Sequence, residues 1–211
     1  IASYTSNSSI EDYSRGTVAS ANFINQFTKL GEIFKTTSLS RPEEIRNHAV
    51  SSIFKSFNLA EELFFMSPNY IKYFSVVIFA LVDELHSKLI EYSNRENAER
   101  ETRSMEGTLK LAIELLSDMY LQSFRKITDC QDFREIWVAL LRRMDICIKA
   151  DLGQYGRSTL GEIALNLLRK IITQMKDEGI LEPREEDDLW EITYIQLQWS
   201  CPNLKDELFP L

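Results

Sequence analysis

Apolar residues in the last third of the chain recur at the spacing of a single helical face. The first run comprises Phe133, Ile136, Trp137, Leu140, Leu141, Met144 and Ile148. A second run comprises Leu160, Ile163, Ala164, Leu167, Leu168, Ile171, Ile172 and Met175, with Gly179 just beyond it. Intervals of three and four residues place each run on one broad stripe of an α-helix. The pattern predicts two amphipathic helices that each bury one face.

The same periodicity extends through the first half of the chain. It predicts a first helix from about residue 17 to residue 34 that buries Phe23, Phe27, Leu30 and Phe34. A second helix carries inward Ile45, Ala49, Ile53, Phe57 and Ala60. A third begins at Ser67-Pro68 and buries Ile71, Phe74, Ile78, Leu81, Leu85 and Leu89. A fourth uses Leu109, Ala112, Ile113, Leu116, Met119, Tyr120 and Phe124.

Polar and charged stretches mark the ends and connections of these helices. Residues 91–106 alternate glutamate with arginine, which fits either a loop leading into the fourth helix, the interpretation we favour, or a solvated helical extension. The fifth helix is expected to start at Thr128 or Asp129, and the sixth to take Ser158 as its cap. Gly179 ends the sixth helix. The acidic run at 185–188 opens a seventh helix through about Trp199, and a short eighth starts at Pro202.

These elements predict an all-α fold. Glycine and proline are scarce, at seven and five residues, so long helices with short connections are favoured over strands and turns. Pairs of helices recur roughly every 35–45 residues, which is the scale of HEAT and armadillo repeats. We therefore predict stacked antiparallel helix pairs in an α-solenoid. Residues 1–14, rich in serine and asparagine, are predicted to be a disordered lead-in, followed by helical repeat segments at 15–125 and 126–211.

Composition narrows the classes of function. The net charge of −8 disfavours general binding to nucleic acid. Three widely spaced cysteines, Cys130, Cys147 and Cys201, form no CxxC pair and suggest reduced thiols rather than a disulfide framework or a zinc site. The longest apolar stretch, residues 73–82, is far shorter than the roughly 20 residues of a membrane-spanning helix. The chain starts at Ile1 rather than methionine, so we expect an excerpt or a processed piece of a longer protein.

Four segments in order carry a resemblance to a known family. They are residues 133–144, 167–181, 189–193 (Leu-Trp-Glu-Ile-Thr) and 201–210 (Cys-Pro-Asn-Leu to Phe-Pro). This order resembles the C-terminal helical region, downstream of the exchange domain, of the large Golgi-type Arf guanine-nucleotide exchange factors of the GBF/Gea/GNOM branch. It covers residues 130–210 well, whereas residues 15–125 agree with it only in being helical. Two departures are Cys201, where a small residue is typical, and the absence of proline before Leu167.

The resemblance implies a non-catalytic regulatory and scaffold region. In that family, nucleotide exchange depends on a glutamate of a separate upstream domain, and no segment here resembles that domain. The full-length protein is then expected to be an Arf exchange factor in Golgi vesicle traffic, cytoplasmic and peripherally bound to Golgi membranes. The implied partners are small GTPases of the Arf and Rab type, reached through the full-length protein, and a second copy through other regions. Binding to nucleic acid is not expected.

The search for chemistry along the sequence is mostly negative. His48 and His86 are the two histidines, and Asp83-Glu84 beside His86 is too common a spacing to predict a metal site. No phosphate-binding loop or GxSxG nucleophile motif is present. We therefore predict no catalytic, cofactor-binding or metal-binding residues. A small helical enzyme and a free-standing helical adaptor that binds a peptide or helix of a partner remain the alternatives.

The candidates for partner binding are two tryptophans and two arginines. Trp137 is predicted to be core because its helical neighbours are all apolar, while Trp190 and Trp199 fit either core packing or an exposed partner surface. Arg142 and Arg143 are candidates within a basic strip that also contains Arg125, Arg134 and Lys149. The ordinary interpretation of this strip, and of the acidic run at 185–188, is a solvated helix surface. The alternative is contact with phosphoinositide headgroups or a small GTPase for the strip, and with a basic partner for the run.

Overall fold

The computed structural model describes residues 6–64, 68–185 and 187–210. Regular structure in these ranges is helical, apart from one isolated bridge between Asp151 and Arg157. The α-helices are α1 Ser6–Thr37, α2 Glu43–Phe64, α3 Pro68–Tyr73, α4 Ala80–Ser93, α5 Glu99–Gln122, α6 Phe124–Thr128, α7 Phe133–Ile148, α8 Leu160–Asp177, α9 Leu189–Ser200 and α10 Pro202–Leu208. A π-helical turn, Phe74–Phe79, joins α3 to α4, and a 3₁₀ turn, Gly153–Tyr155, precedes α8.

The helices stack as pairs in two layers. Helix α1 packs on α2, α4 on α5, α7 on α8 and α9 on α10. One layer follows the contacts of α2 with α5, α5 with α8 and α8 with α10; in the other, the π-helical turn contacts α1 and α7, and α7 contacts α9. Each helix thereby buries its apolar stripe against its partner and its neighbours. The prediction of an all-α fold of stacked antiparallel helix pairs is confirmed.

The first helix differs from its prediction in both start and buried face. Helix α1 begins at Ser6, not near residue 17, so the predicted lead-in over 1–14 is helical from Ser6 onward. Adding a residue to an existing helix gains one hydrogen bond for each residue that is fixed, whereas starting a new helix is unfavourable. Polar residues can therefore extend α1 toward the N-terminus. Residues 1–5 lie outside the described residues.

The face of α1 that packs inward is set by a close approach to the π-helical turn. A Cβ on Gly31 would lie 2.9 Å from Val77 Cγ2, so the two backbones approach where α1 has no side chain. Ile24 and Thr28 are buried on this face. The prediction that Phe23 and Leu30 are buried is wrong, because this contact rotates both toward solvent.

The segment 91–106 is mostly helical. Helix α4 continues to Ser93 and α5 already begins at Glu99, so the favoured loop is confined to residues 94–98. Acidic residues in the first turn of α5, Glu99 and Glu101, favour helix there because they face the positive end of the helix dipole. The connection turns at Asn97, which adopts a positive φ of 57°.

The middle of the chain carries the π-helical turn, which the sequence pattern does not distinguish from regular helix. Ser67, the predicted cap, lies outside the described residues. Phe74, Val77, Ile78 and Phe79 are all buried, since the turn contacts α1, α4 and α7. Helix α7 begins at Phe133, later than the predicted Thr128 or Asp129, because the separate short helix α6 occupies that segment.

The second half of the chain follows its predicted elements closely. Gly179 ends α8 with a φ of 69°, and the Ile180 N–H donates to the Met175 carbonyl at 2.8 Å, which closes a Schellman motif. Helix α10 begins at Pro202 as expected. The predicted boundary between residues 125 and 126 falls inside α6, and the division into two repeat segments stays a prediction.

Candidate interaction surface

Trp137 is a core residue, as predicted. Its ring is fully buried on α7, and its centroid lies 6.2 Å from that of Tyr120 on α5. The indole Nε1–H donates to Thr193 Oγ1 of α9 at 2.8 Å, and the Thr193 hydroxyl donates in turn to the Leu189 carbonyl at 2.6 Å. The side chain therefore holds three elements together and satisfies its one polar atom internally.

Trp190 lies in an aromatic cluster at the end of the stack. Its ring stacks on Tyr194, with centroids 5.0 Å apart and planes 17° apart, and meets the edge of Phe209 at 5.8 Å. Lys176 covers the Phe209 ring at 4.9 Å and donates to the Leu208 carbonyl. Trp190 is half-buried, and these contacts fix α9 against α10. Packing accounts for most of its apolar surface.

Trp199 is on the outer surface of α9. It is 80% exposed, and Ile195, one helical turn earlier, is 48% exposed. The opposite face of α9 buries Thr193 and Leu197. Of the two interpretations open for Trp199, core or surface, the structure gives the surface. Two adjacent large apolar side chains are thus available for contact with a partner.

The two candidate arginines do not share a surface. Arg142 is exposed and makes no hydrogen bond or ion pair within the described ranges. Arg143 turns inward: it pairs with Asp83 at 2.5 Å, donates to the Ala139 carbonyl at 2.9 Å and lies 4.6 Å from the Phe79 ring centroid. Its charge is already used to join α7 to α4.

The rest of the basic strip is also paired internally. Arg134 makes two hydrogen bonds to Asp188, at 2.8 and 2.7 Å, and Arg125 lies 3.7 Å from Glu178. Hydrogen bonding from Arg134 holds the pKa of Asp188 below its ordinary range. In the acidic run, the Asp187 carboxylate accepts the Leu189 N–H at 3.2 Å and so caps α9, while Glu186 lies outside the described residues.

The described residues offer no assembled catalytic or metal centre. No group of histidine, cysteine and carboxylate side chains among them is arranged to hold a metal ion. Burial lowers the pKa of His86, although Asp83 opposes this effect. Burial raises the pKa of the Cys147 thiol to about 12, so this thiol is an inert packing group. No helix in the described ranges has the length and hydropathy needed to cross a bilayer.

A buried carboxylate that the sequence analysis missed joins two helix pairs. The Glu106 side chain on α5 accepts hydrogen bonds from Ser158 Oγ at 2.8 Å, from the Thr159 N–H at 2.6 Å and from Arg103 at 3.0 Å. Burial alone would raise the pKa of Glu106, but these hydrogen bonds outweigh it and lower the pKa. The N-cap of α8 is Thr159 rather than the predicted Ser158, whose hydroxyl one residue earlier accepts the Leu160 N–H at 3.1 Å. Glu106 thus anchors the start of α8 on α5.

Comparison with known proteins agrees with this arrangement. A family model described as the GBF1-like tetratricopeptide repeat region matches residues 27–204. The chain is 50% identical over 208 residues to the ARF guanine-nucleotide exchange factor GNL2 of Arabidopsis thaliana, which covers 98% of this chain and 15% of the relative. It is 30% identical over 185 residues to GNOM of the same plant, covering 86% of this chain and 12% of the relative. No solved structure matches the chain.

Proposed function

Because the chain belongs to the GBF1-like tetratricopeptide repeat region family, we infer that it is a non-catalytic regulatory and scaffold region of a large Arf guanine-nucleotide exchange factor. Its role is to contribute to membrane recruitment and partner binding in Golgi vesicle traffic. The chain spans 15% of the length of its relative GNL2, so exchange activity belongs to other parts of such a protein.

The observation that carries this proposal is that charged side chains pair with one another between helices and do not form a catalytic site. Charged side chains that the sequence offers as candidates, such as Arg143 and Arg134, are bound to carboxylates of neighbouring helices. They hold the layers together and do not converge on a space where a substrate would react. On the outer surface, Trp199 and Ile195 form the most apolar part of α9 and are exposed for contact with a protein partner.

The proposed partners follow from the same assignment. Arf and Rab GTPases would be engaged through the full-length protein, which would be cytoplasmic and bound peripherally to Golgi membranes. Trp199 and Ile195 on α9 would bind a protein partner during this recruitment. A large aromatic side chain that becomes buried on binding is the usual anchor of an interface. Dimerisation would involve other regions.

A first experiment measures nucleotide release from purified Arf in the presence of this chain. We expect no acceleration above the spontaneous rate, with a complete exchange factor as the positive control. Robust exchange by the chain alone would contradict its placement outside the exchange domain.

A second experiment tests the surface of α9 in cells. Trp199→Ala in the full-length protein should reduce its enrichment on Golgi membranes, whereas Gln198→Ala, an exposed neighbour on the same helix, should not. Melting of both purified variants should match that of the parent protein, because neither side chain is buried. Golgi enrichment that is unchanged in Trp199→Ala would contradict a role of this surface in recruitment.

The free-standing adaptor remains a distinct alternative and needs its own measurement. The mass of the native protein that contains this sequence separates the two proposals. A much longer product with an exchange domain would support the regulatory region, and a native product of about this length would favour the adaptor.

A further inference from the structure

A cavity of about 810 Å³ lies where the turn between α1 and α2 and the start of α2 meet the end of α4 and the start of α5. Five arginines line it: Arg41, Arg46, Arg95, Arg100 and Arg103. Two glutamates, Glu43 and Glu101, are the carboxylates of its wall. We call this space the arginine cavity. Such an excess of cations stands out in a chain whose net charge is −8.

Arg46 is the one arginine of this wall that is buried. It is only 3% exposed, and its hydrogen bonds go to Thr108 Oγ1 and Ser104 Oγ and to the carbonyls of Ser40 and Arg41. All four acceptors are neutral. Within the described ranges, no carboxylate lies at ion-pair distance from this guanidinium.

The positive charge of Arg46 is therefore poorly compensated. Glu43 acts on it only from a distance: its carboxylate accepts the Ser104 hydroxyl at 2.7 Å. Burial lowers the pKa of Arg46, although Glu43 opposes this effect. A buried cation without a counter-charge is costly, and an anion in the adjoining cavity would offset this cost.

The other arginines present further donors around the same space. The side chains of Arg41 and Arg100 are exposed and have no hydrogen-bond or ion-pair partner among the described residues. Arg103 is held in place by the carbonyls of Tyr155 at 2.6 Å and Arg157 at 3.2 Å, and it forms an ion pair with Glu106 at 3.0 Å. Arg95 forms an ion pair with Glu91. The wall thus combines fixed guanidinium groups with free ones that can close on a ligand.

The start of α5 adds backbone donors to this wall. Ala98 precedes the helix without a side-chain cap, so the first N–H groups of a 24-residue helix have no side-chain acceptor there. These groups and the helix dipole, which Glu99 and Glu101 also face, favour an anion at the same end that Arg100 and Arg103 occupy.

From these observations we propose that the arginine cavity binds a compact, multiply phosphorylated ligand, a phosphorylated inositol ring that is either free or the headgroup of a membrane lipid. Guanidinium groups bind phosphate oxygens in pairs, and the two unpaired arginines, Arg41 and Arg100, beside the buried Arg46 suit a ligand with more than one phosphate. The volume is typical of a small-ligand site. The wall comes from two connections between helices and from the helix ends beside them, so it fits a compact ligand better than an extended phosphopeptide.

The test is a calorimetric titration of this chain with inositol hexakisphosphate. We expect saturable binding of one ligand per chain. Arg41→Gln and Arg100→Gln should each weaken it about tenfold, since charged hydrogen bonds are lost while no internal contact is broken. The matched control is Arg142→Gln, which removes the same charge from an exposed, unpartnered arginine outside the cavity and should change the affinity less than about twofold.

Two results of the titration with inositol hexakisphosphate would overturn the proposal. One is the absence of saturable binding, and the other is equal weakening by all three substitutions, which would reveal unspecific attraction to a polyanion. Tighter binding of a phosphoserine peptide at the same arginines would also contradict it.

Vesicles distinguish the two sources of the ligand. Phosphatidylcholine vesicles with and without a phosphatidylinositol monophosphate are sedimented with the parent chain and the three variants. Retention that requires the phosphorylated lipid together with Arg41 and Arg100 assigns a membrane headgroup. Binding of the soluble compound without vesicle retention assigns a free ligand. The proposal stands apart from the exchange-factor assignment, because binding is measured on this chain alone.

Discussion

The hydrogen bonds of Glu106 connect α5 to the start of α8, and their loss should lower the stability of the stacked helices measurably. Glu106→Gln preserves the shape of the side chain but removes its charge. One oxygen can still accept from Ser158 and Thr159, while the new amide group places N–H donors opposite the Arg103 guanidinium, which now donates at 3.0 Å. The substitution thereby weakens the connection between α5 and the first turn of α8.

The size of the effect follows from the contacts that change. Hydrogen bonds to a charged group contribute about 1.5–3 kcal/mol each, against about 0.5–1.5 kcal/mol for neutral ones. Loss of the charge at the start of α8 removes about 0.3–1 kcal/mol more of helix-dipole stabilisation. We therefore expect Glu106→Gln to reduce the free energy of unfolding by about 3 kcal/mol at neutral pH.

Chemical denaturation measures this change, and the pH dependence identifies its cause. The pKa of Glu106 in the folded chain lies below its ordinary value of 4.5. A carboxyl group with a lowered folded pKa stabilises the fold above its unfolded pKa, and this contribution is lost as the pH falls through the folded pKa. The difference between parent and variant should therefore be complete above about pH 5 and shrink in more acidic solution.

The control for this prediction lies on the same helix. Glu114 is partly exposed and lies 3.9 Å from Lys110, so Glu114→Gln should change the free energy of unfolding by less than about 0.5 kcal/mol. Equal effects of the two substitutions, or a Glu106→Gln deficit that does not vary between neutral and acidic pH, would refute the reasoning.

Two further predictions concern packing. Trp137→Ala should destabilise the chain by about 3–5 kcal/mol, because it empties a fully buried site and removes the donor to Thr193; a variant that melts like the parent would contradict the core assignment. Gly161→Ala should cost about 1–3 kcal/mol in denaturant unfolding, since the added Cβ would lie 2.9 Å from the Ile148 carbonyl oxygen. Its control is Gly107→Ala, where nothing lies within 4 Å and a gain of about 0.5–1 kcal/mol is expected, so similar effects of the two changes would refute the packing argument.

Apolar periodicity predicted the helices well where neighbours cover a single face. The buried stripe of α7 appears as predicted around Trp137, and the ends of α8 and the start of α10 follow from Gly179 and Pro202. Apolar periodicity predicted the wrong buried face where a helix has two apolar faces and tertiary contacts determine which one is buried. Helix α1 offers both a Phe23 face and an Ile24 face, and the close approach at Gly31 selects the second.

The candidate arginines show a different weakness of linear patterns. Arg142 and Arg143 are adjacent in sequence, so their side chains leave the helix about 100° apart. One can face solvent while the other reaches Asp83 on α4. The basic strip predicted from adjacent sequence positions therefore grouped Arg142, whose charge is unpaired, with Arg143, whose charge is paired with Asp83. Helical position would have separated the two residues, whereas the identity of the acidic partner requires the tertiary structure.

Helical position also carries a signal for Arg46 and Glu106, two of the buried charged residues that the sequence analysis missed. Arg46 lies in register with the buried Val50, Ile53 and Phe57, where Ile45 was expected to point inward and instead faces solvent. Glu106 similarly occupies the apolar stripe of α5. A charged residue on such a stripe is buried only if the fold supplies partners. Glu106 has its partners within the chain, but Arg46 has neutral acceptors alone. That contrast is why the first residue is assigned to stability and the second to the binding of an anion.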